Sequence, residues 1–336
     1  MIGKRSIYVH AGLVVTGAAL ALSVWTRDKQ PKALVQSDVT IWQGKPRDVE
    51  SISFESKKKR VSLTAKKDDI GRYFTGTVTK DRTPSPPPGD AGAPEPAAES
   101  TVTTGVLSIT PVEKLVDLLA PLKAIRTVGQ VAADREAEFG LDDPEGTLTV
   151  KIGDAEKKLL IGGPTPGGGD RYARDPGTRE VYVVKGDVFT KVDAADTALM
   201  ERDLHEWKDA EVAGAKILAA GKERAVVRAG DGAKRFWADA SSKDTPDETI
   251  ANWMSKLERL RPTDFPETAP DPRETIVRVE YTGASGSLGY IEVFRGPTGD
   301  NGKPQYFVQT ERTRMLGKVV GRGAEEVEQD VAALVP

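Results

Sequence analysis

The chain has 336 residues, enough for about two domains of average size. Its 48 Lys and Arg stand against 51 Asp and Glu, a net charge of −3, and it has no cysteine and only two histidines. Those counts exclude disulfides, cysteine-ligated zinc or iron–sulfur centres, a thiol nucleophile and zinc sites needing three histidines.

The charge is unevenly placed. Residues 1–80 hold 15 basic and 7 acidic side chains, so the acidity lies in the remainder. A basic front end on an acidic body suits anionic lipid headgroups and argues against nucleic-acid binding, which needs cations and aromatics gathered in the body. The run Lys57-Lys58-Lys59-Arg60 reads equally as a solvated hairpin turn.

From Ser6 to Thr26 no residue is charged, and Lys4-Arg5 and Arg27-Asp28-Lys29 bracket the stretch. As a helix it would reach about 31 Å, the thickness of a bilayer's hydrocarbon core. Tyr8 and Trp25 fall near its ends, where aromatic belts form. Gly12, Gly17, Ala18 and Ala21 make a small-residue face for contact with another membrane helix. Lys4, Arg5, Arg27, Lys29 and Lys32 are placed to meet the membrane surface. Ala19-Leu20-Ala21 also has the form of a signal-peptidase site, so a cleaved leader is the competing reading. The short tail before Lys4 favours an uncleaved anchor with the body outside. His10 falls within the apolar stretch, close to its end.

Beyond residue 30, Ser51–Phe54 and Val61–Thr64 alternate as half-buried strands do, and Tyr73–Thr79 continues weakly. The stretch 81–100 holds six Pro and almost no apolar side chain larger than Ala, which predicts a disordered or extended insert. Thr110-Pro111-Val112-Glu113 has the form of a capping box, and Val112, Leu115, Val116, Leu119, Leu122 and Ile125 follow at helical spacing. Strands are expected at 147–152, 158–161, 171–174 and 180–184, the last two joined by the turn Asp175-Pro176-Gly177. A helix over about 197–207 would close this unit.

The second half repeats the plan. Strands at 216–218, 224–228 and 235–238 precede Thr245-Pro246-Asp247-Glu248, a second apparent capping box, and the stripe Ile250, Trp253, Met254, Leu257, Leu260. Strands at 275–281, 288–294, 305–310 and 315–320 and a helix over 324–334 follow. The helices recur after about 135 residues and the strands before them after 163; one insert in the first copy explains the difference. The expected class is therefore α+β: a membrane helix in 1–30, one sheet-plus-helix unit in 31–207 carrying the insert 81–100, and a related unit in 208–336.

Chemistry-bearing motifs are sparse. Gly162–Asp170 lacks the Lys and Ser/Thr of a P-loop and reads as a hairpin tip. Gly283-Ala284-Ser285-Gly286-Ser287 lacks the last Gly of a nucleophile elbow. Ser56-x-x-Lys59 lies in a charged turn, Asp142-Asp143 before Pro144 suits a turn better than an acid–base pair, and His205 sits in a polar stretch expected to be helical. No catalytic, metal-binding or cofactor-binding residue is predicted.

The run Phe139-Gly140-Leu141-Asp142-Asp143-Pro144, with Leu159-Leu160-Ile161-Gly162, Tyr172-Ala173-Arg174, Glu180–Val184 and Leu199–Leu204, resembles the bacterial domain-of-unknown-function family 4340. The likeness is best over 139–207. It implies a single-span inner-membrane protein, body facing the periplasm, that accompanies gliding-motility-type ABC exporters. Its partners would then be a permease, an ATPase and an extracytoplasmic protein. The expectation is a non-enzymatic accessory subunit without cofactor. The alternatives are a free-standing binder of peptidoglycan, polysaccharide or lipid, and a carboxylate-dependent hydrolase.

Overall fold

The computed structural model describes residues 39–82 and 100–335. Every membrane-facing residue singled out above, Gly12, Gly17, Ala18, Ala21, Lys4, Arg5, Arg27, Lys29 and Lys32, lies outside them, as does His10. Among the described residues no helix is long and apolar enough to cross a membrane.

The described chain is α+β, mainly antiparallel β. Strands β1 (Val39–Trp42), β2 (Val49–Glu55), β3 (Lys59–Lys67), β4 (Arg72–Arg82) and β5 (Ser100–Ser108) lead into helix α1 (Thr110–Leu119). Then come β6 (Leu122–Ala124), β7 (Arg126–Gln130), β8 (Gly146–Ile152), β9 (Ala155–Pro164), β10 (Asp170–Arg174), β11 (Glu180–Lys185), α2 (Gly186–Asp193) and α3 (Ala195–Ala198). The second half has β12 (Val212–Ala219), β13 (Lys222–Ala229), β14 (Phe236–Asp239), α4 (Glu248–Glu258), β15 (Pro262–Asp264), β16 (Glu274–Gly283), β17 (Gly286–Thr298), β18 (Pro304–Thr310), β19 (Gly317–Val319) and α5 (Gly321–Leu334).

Two sheets repeat one strand order. The first runs β5-β4-β3-β2-β8-β9-β10-β11-β7 and the second β14-β13-β12-β16-β17-β18-β19-β15; without β5 they correspond strand for strand. The helices correspond too: Val112, Leu115, Val116 and Leu119 of α1 are buried, as are Ile250, Trp253, Met254 and Leu257 of α4, 138 positions later (250 minus 112). An arginine strap recurs as well. Arg72 donates to the carbonyls of Pro46 and Val49, and Arg235 donates to those of Asp209, Ala210 and Val212. Each fixes the short turn that opens the sheet's central strands.

The extra strand β5 is where the insert enters. Asp81, Arg82 and Ser100 belong to the β4–β5 ladder, pairing Asp81 with Thr101 and Arg82 with Ser100. The insert predicted over 81–100 is thus ordered at both ends, and residues 83–99 lie outside the described residues.

Several local expectations are corrected. Neither Thr is a helix cap: Ile109 precedes α1 without a side-chain cap, and Asp247, not Thr245, caps α4 through a 3.0 Å bond from the Ile250 N–H. Helix α1 stops at Leu119, before Pro121, which lacks an N–H and disfavours helical geometry in the residue ahead of it. Leu122 therefore lies in β6, and Ile125 follows it. The helix expected over 197–207 is displaced to α2 and α3, and 201–207 runs irregularly because its side chains are engaged elsewhere. In the turn after β10 the left-handed residue is Arg179 (φ 61°), not Gly177, since the Asp175 carboxylate accepts from the N–H groups of Gly177 and Thr178.

Each sheet buries its own core, but two side chains of the second unit reach the first sheet's core, Phe265 as a buried member and Met315 packed against it. Phe265, just after β15, is 1% exposed and packs in the first sheet's core among Leu107, Leu115 and Phe74. Its N–H donates to the Gly105 carbonyl at 3.0 Å, and the Gly105 N–H donates to Asp264 Oδ1 at 2.7 Å. Gly105 allows this approach: a Cβ there would lie 1.9 Å from the Phe265 carbonyl oxygen.

Candidate functional site

The most concentrated buried chemistry sits where the segment 201–207 meets the β18–β19 turn. Arg312, 6% exposed, donates to Glu201 Oε2 (3.0 Å), Thr110 Oγ1 (2.8 Å) and Glu206 Oε1 (2.8 Å). Glu201, 1% exposed, also accepts from the N–H groups of Thr110 and Asp203. A buried ion pair survives desolvation only with such supporting hydrogen bonds. Alongside it Arg314 donates to Asp68 Oδ2 at 2.5 Å and lies over the Tyr73 ring. Its bond to Arg314 leads the causes that hold the Asp68 carboxyl below its ordinary value.

Next to this pair stands an aromatic box. His205 stacks on Trp207 at 4.2 Å and meets Tyr281 edge-on at 5.3 Å, while Trp207 and Tyr281 lie 4.6 Å apart. His205 Nδ1 is 2.9 Å from Glu311 Oε1; a carboxylate only accepts, so Nδ1 carries the proton. Glu311 Oε2 accepts from the Tyr290 N–H, an approach open because Gly289 has no Cβ. Burial pushes the Tyr281 hydroxyl well above its ordinary value, with the charges of Glu258 and Glu311 adding to it. Burial also raises Glu258, the last residue of α4, to about 7, with Asp209 reinforcing the shift and Arg228 and Arg261 opposing it.

A His–carboxylate pair has the composition of a general base, but His205 Nε2 is enclosed and has no hydrogen-bond partner, as do Trp207 Nε1 and the Tyr281 hydroxyl. In this arrangement no nitrogen of the ring is open to solvent, and the cluster joins segment 201–207 to the end of β18 and the start of β17. Sequence reasoning missed it because its members are separated by about a hundred positions and meet only in the fold.

The motifs weighed in the sequence are placed as follows. Asp143 pairs with Lys57 at the surface, and Asp142 is exposed. Lys59 of Ser56-x-x-Lys59 is held by the Asp193 carboxylate and carbonyl. Gly167, Gly168 and Gly169 all take positive φ in the β9–β10 turn, a hairpin tip as expected. His205 is not helical. Among the described residues no group of three or more His, Asp or Glu could hold a metal ion. A cavity of about 820 Å3 lies between the β17–β18 tip and the start of α5 and is lined by Lys303, Lys318, Arg322, Asp300 and Glu325 among others.

A second cluster gathers residues far apart in sequence. Gly140, left-handed at φ 62°, ends a short helical turn at Phe139 and touches Gly163, while Gly162 packs under the Phe139 carbonyl. Tyr172 meets Phe139 edge-on at 4.9 Å, and Arg174 pairs with Glu136. Phe139, Gly140, Gly162, Tyr172 and Arg174 are motif residues quoted above, and with Glu136 and Gly163 they form one packing joint clamping 133–141 onto the β9–β10 hairpin.

Residues 110–277, half of the chain, match the profile of the family described as Domain of unknown function (DUF4340). The protein belongs to that family. Its matched region starts at α1 and ends in β16, so it takes in the joint, the segment 201–207 and the second unit's first helix. Comparison with curated proteins and with solved structures returns no match.

Proposed function

We propose that this DUF4340 protein is a membrane-tethered, non-enzymatic scaffold that serves an ABC-type exporter as an accessory subunit. The uncharged stretch from Ser6 to Thr26 carries the reading: 21 residues bracketed by cations, ahead of a body in which the buried pair of Arg312 and Glu201 ties the two units together. Gly12, Gly17, Ala18 and Ala21 would meet the permease helices, and Lys4, Arg5, Arg27, Lys29 and Lys32 the lipid headgroups. The body, two related units on the periplasmic side, would meet an extracytoplasmic partner. Purification of the tagged full chain in mild detergent, followed by mass spectrometry, should recover a permease and an ATPase; recovery of the chain alone sinks the reading. Leucine at Gly12 and Gly17 should reduce that recovery.

The cavity beside α5 favours a second reading, a free-standing binder of anionic envelope polymers. Its lining holds three cations, Lys303, Lys318 and Arg322, against two carboxylates, Asp300 and Glu325. Sedimentation with purified peptidoglycan, lost on replacing both lysines by Glu, would support it.

A further inference from the structure

We infer that the outer half of β5 is an interaction edge, and that its occupant is a second copy of the same strand, paired antiparallel about Val102. Strand β5 ends the first sheet and pairs with β4 alone. In an antiparallel ladder a residue's N–H and C=O point to the same side, and successive residues alternate sides. Two outward residues are identified by their partners: Gly105, bonded to Asp264 and Phe265, and Leu107, whose carbonyl accepts from the Glu201 N–H at 2.7 Å. Thr101 and Thr103 therefore also present their backbone groups outward, and among the described residues nothing pairs with them. The inner half of the edge is already occupied by a strand end from the second unit; the outer half continues it.

The composition of this outer half fits a copy of itself. From Ser100 to Thr104 it is Ser-Thr-Val-Thr-Thr, with no charge and no Pro, the devices by which proteins usually block edge pairing. Val102 is 42% exposed, one of three large apolar side chains left open among the described residues. A two-fold axis through Val102 sets Thr101 opposite the copy's Thr103, and the reverse, so that both pairs exchange two backbone bonds. The two Val102 side chains then face each other in a non-hydrogen-bonded pair, where Cα atoms approach to about 4.5 Å. No like charges meet, and Asp264 and Phe265 bound the contact at Gly105. So short a pairing falls below the roughly 1,200 Å2 of a stable interface, which makes a weak dimer best caught covalently.

The chain's lack of cysteine makes the test clean. Val102→Cys, Thr104→Cys and Ile70→Cys are made singly in the full chain, and each is oxidised in mild detergent and in native membranes. A disulfide needs Cα atoms within about 7 Å. Two copies of position 104 would stand about 13 Å apart, four residues of strand rise, and Ile70, 55% exposed, lies outside β5. The expected result is a covalent homodimer of V102C forming at least about tenfold faster than that of T104C or I70C. Equal rates for the three overturn the proposal. So does capture of V102C on a different protein in place of its own copy, which would assign the edge to a partner's strand.

Discussion

Arg312 and Glu201 illustrate what a buried charge does in this chain. Each is almost fully enclosed, so removing one leaves the other charged and unpaired in a low-dielectric setting, at a cost of about 3–5 kcal/mol. Arg312→Met and Glu201→Met should each destabilise to that extent, and the double variant should recover much of it. A double-mutant cycle by denaturant unfolding checks this; additive losses would mean the pair is not coupled. Glu258 makes a pH-dependent case. Its carboxyl is raised to about 7 in the folded chain by burial first and Asp209 second, against about 4.3 when unfolded. The folded state binds the proton more tightly, so this residue's contribution falls as pH rises from about 4.5 to about 7 and stays low above that. Glu258→Gln should remove that decline and stabilise the chain at pH 8 by about 2 kcal/mol, roughly half of the full conversion of the shift because the side chain is only half-buried and solvent screens it. An unchanged pH slope in Glu258→Gln would contradict the assignment.

At the scale of the element, most helices and strands can be read from the periodicity of the sequence, while caps and connections cannot. The stripes of α1 and α4 and the alternation in β2, β3, β8 and β16 are visible because one face of each is buried. The Thr-Pro pairs were misleading because a Thr-Pro-x-Glu pattern does not say which residue leaves the helical geometry. In α1 the Thr110 hydroxyl is taken by Arg312, and in α4 Asp247 lies two residues closer to the helix than Thr245. Asp247→Ala should therefore cost about 1 kcal/mol or more, as it loses the cap and a 3.0 Å bond from Arg224. Thr245→Ala, at an exposed turn position, should stay within about 0.5 kcal/mol, and the reverse order in thermal unfolding would restore the sequence-based assignment. Helix α2 was overlooked because it begins at Gly186 without a side-chain cap. The segment 201–207 was given a helix it does not form, since Glu201, Glu206 and His205 Nδ1 are engaged by residues 311 and 312, more than a hundred positions away.

The described residues form two large sheets of one design beside the small β1–β6 pair, and the question is whether the two large sheets unfold together. The repeat was legible in the sequence as matched offsets, but the interlock was not, because Phe265 reads locally as a residue before Pro266. In the fold it fills the first sheet's core while its backbone continues from β15 of the second. Arg312, Arg314 and the Gly105–Phe265 pairing cross the same junction. Phe265→Ala would remove a fully buried ring and leave a cavity in the first sheet's core, a loss of about 3–5 kcal/mol. That cost falls on the coupling rather than on either sheet's ladder. Calorimetry of the full chain should show one cooperative transition in the parent and two resolved transitions in Phe265→Ala, the earlier one belonging to the sheet that lost its core residue. A single transition lowered as a whole would mean that the ion pairs hold the two sheets together without Phe265. The Arg312→Met background then discriminates, because splitting that appears only when both changes are present places the coupling in the ring and the ion pair jointly.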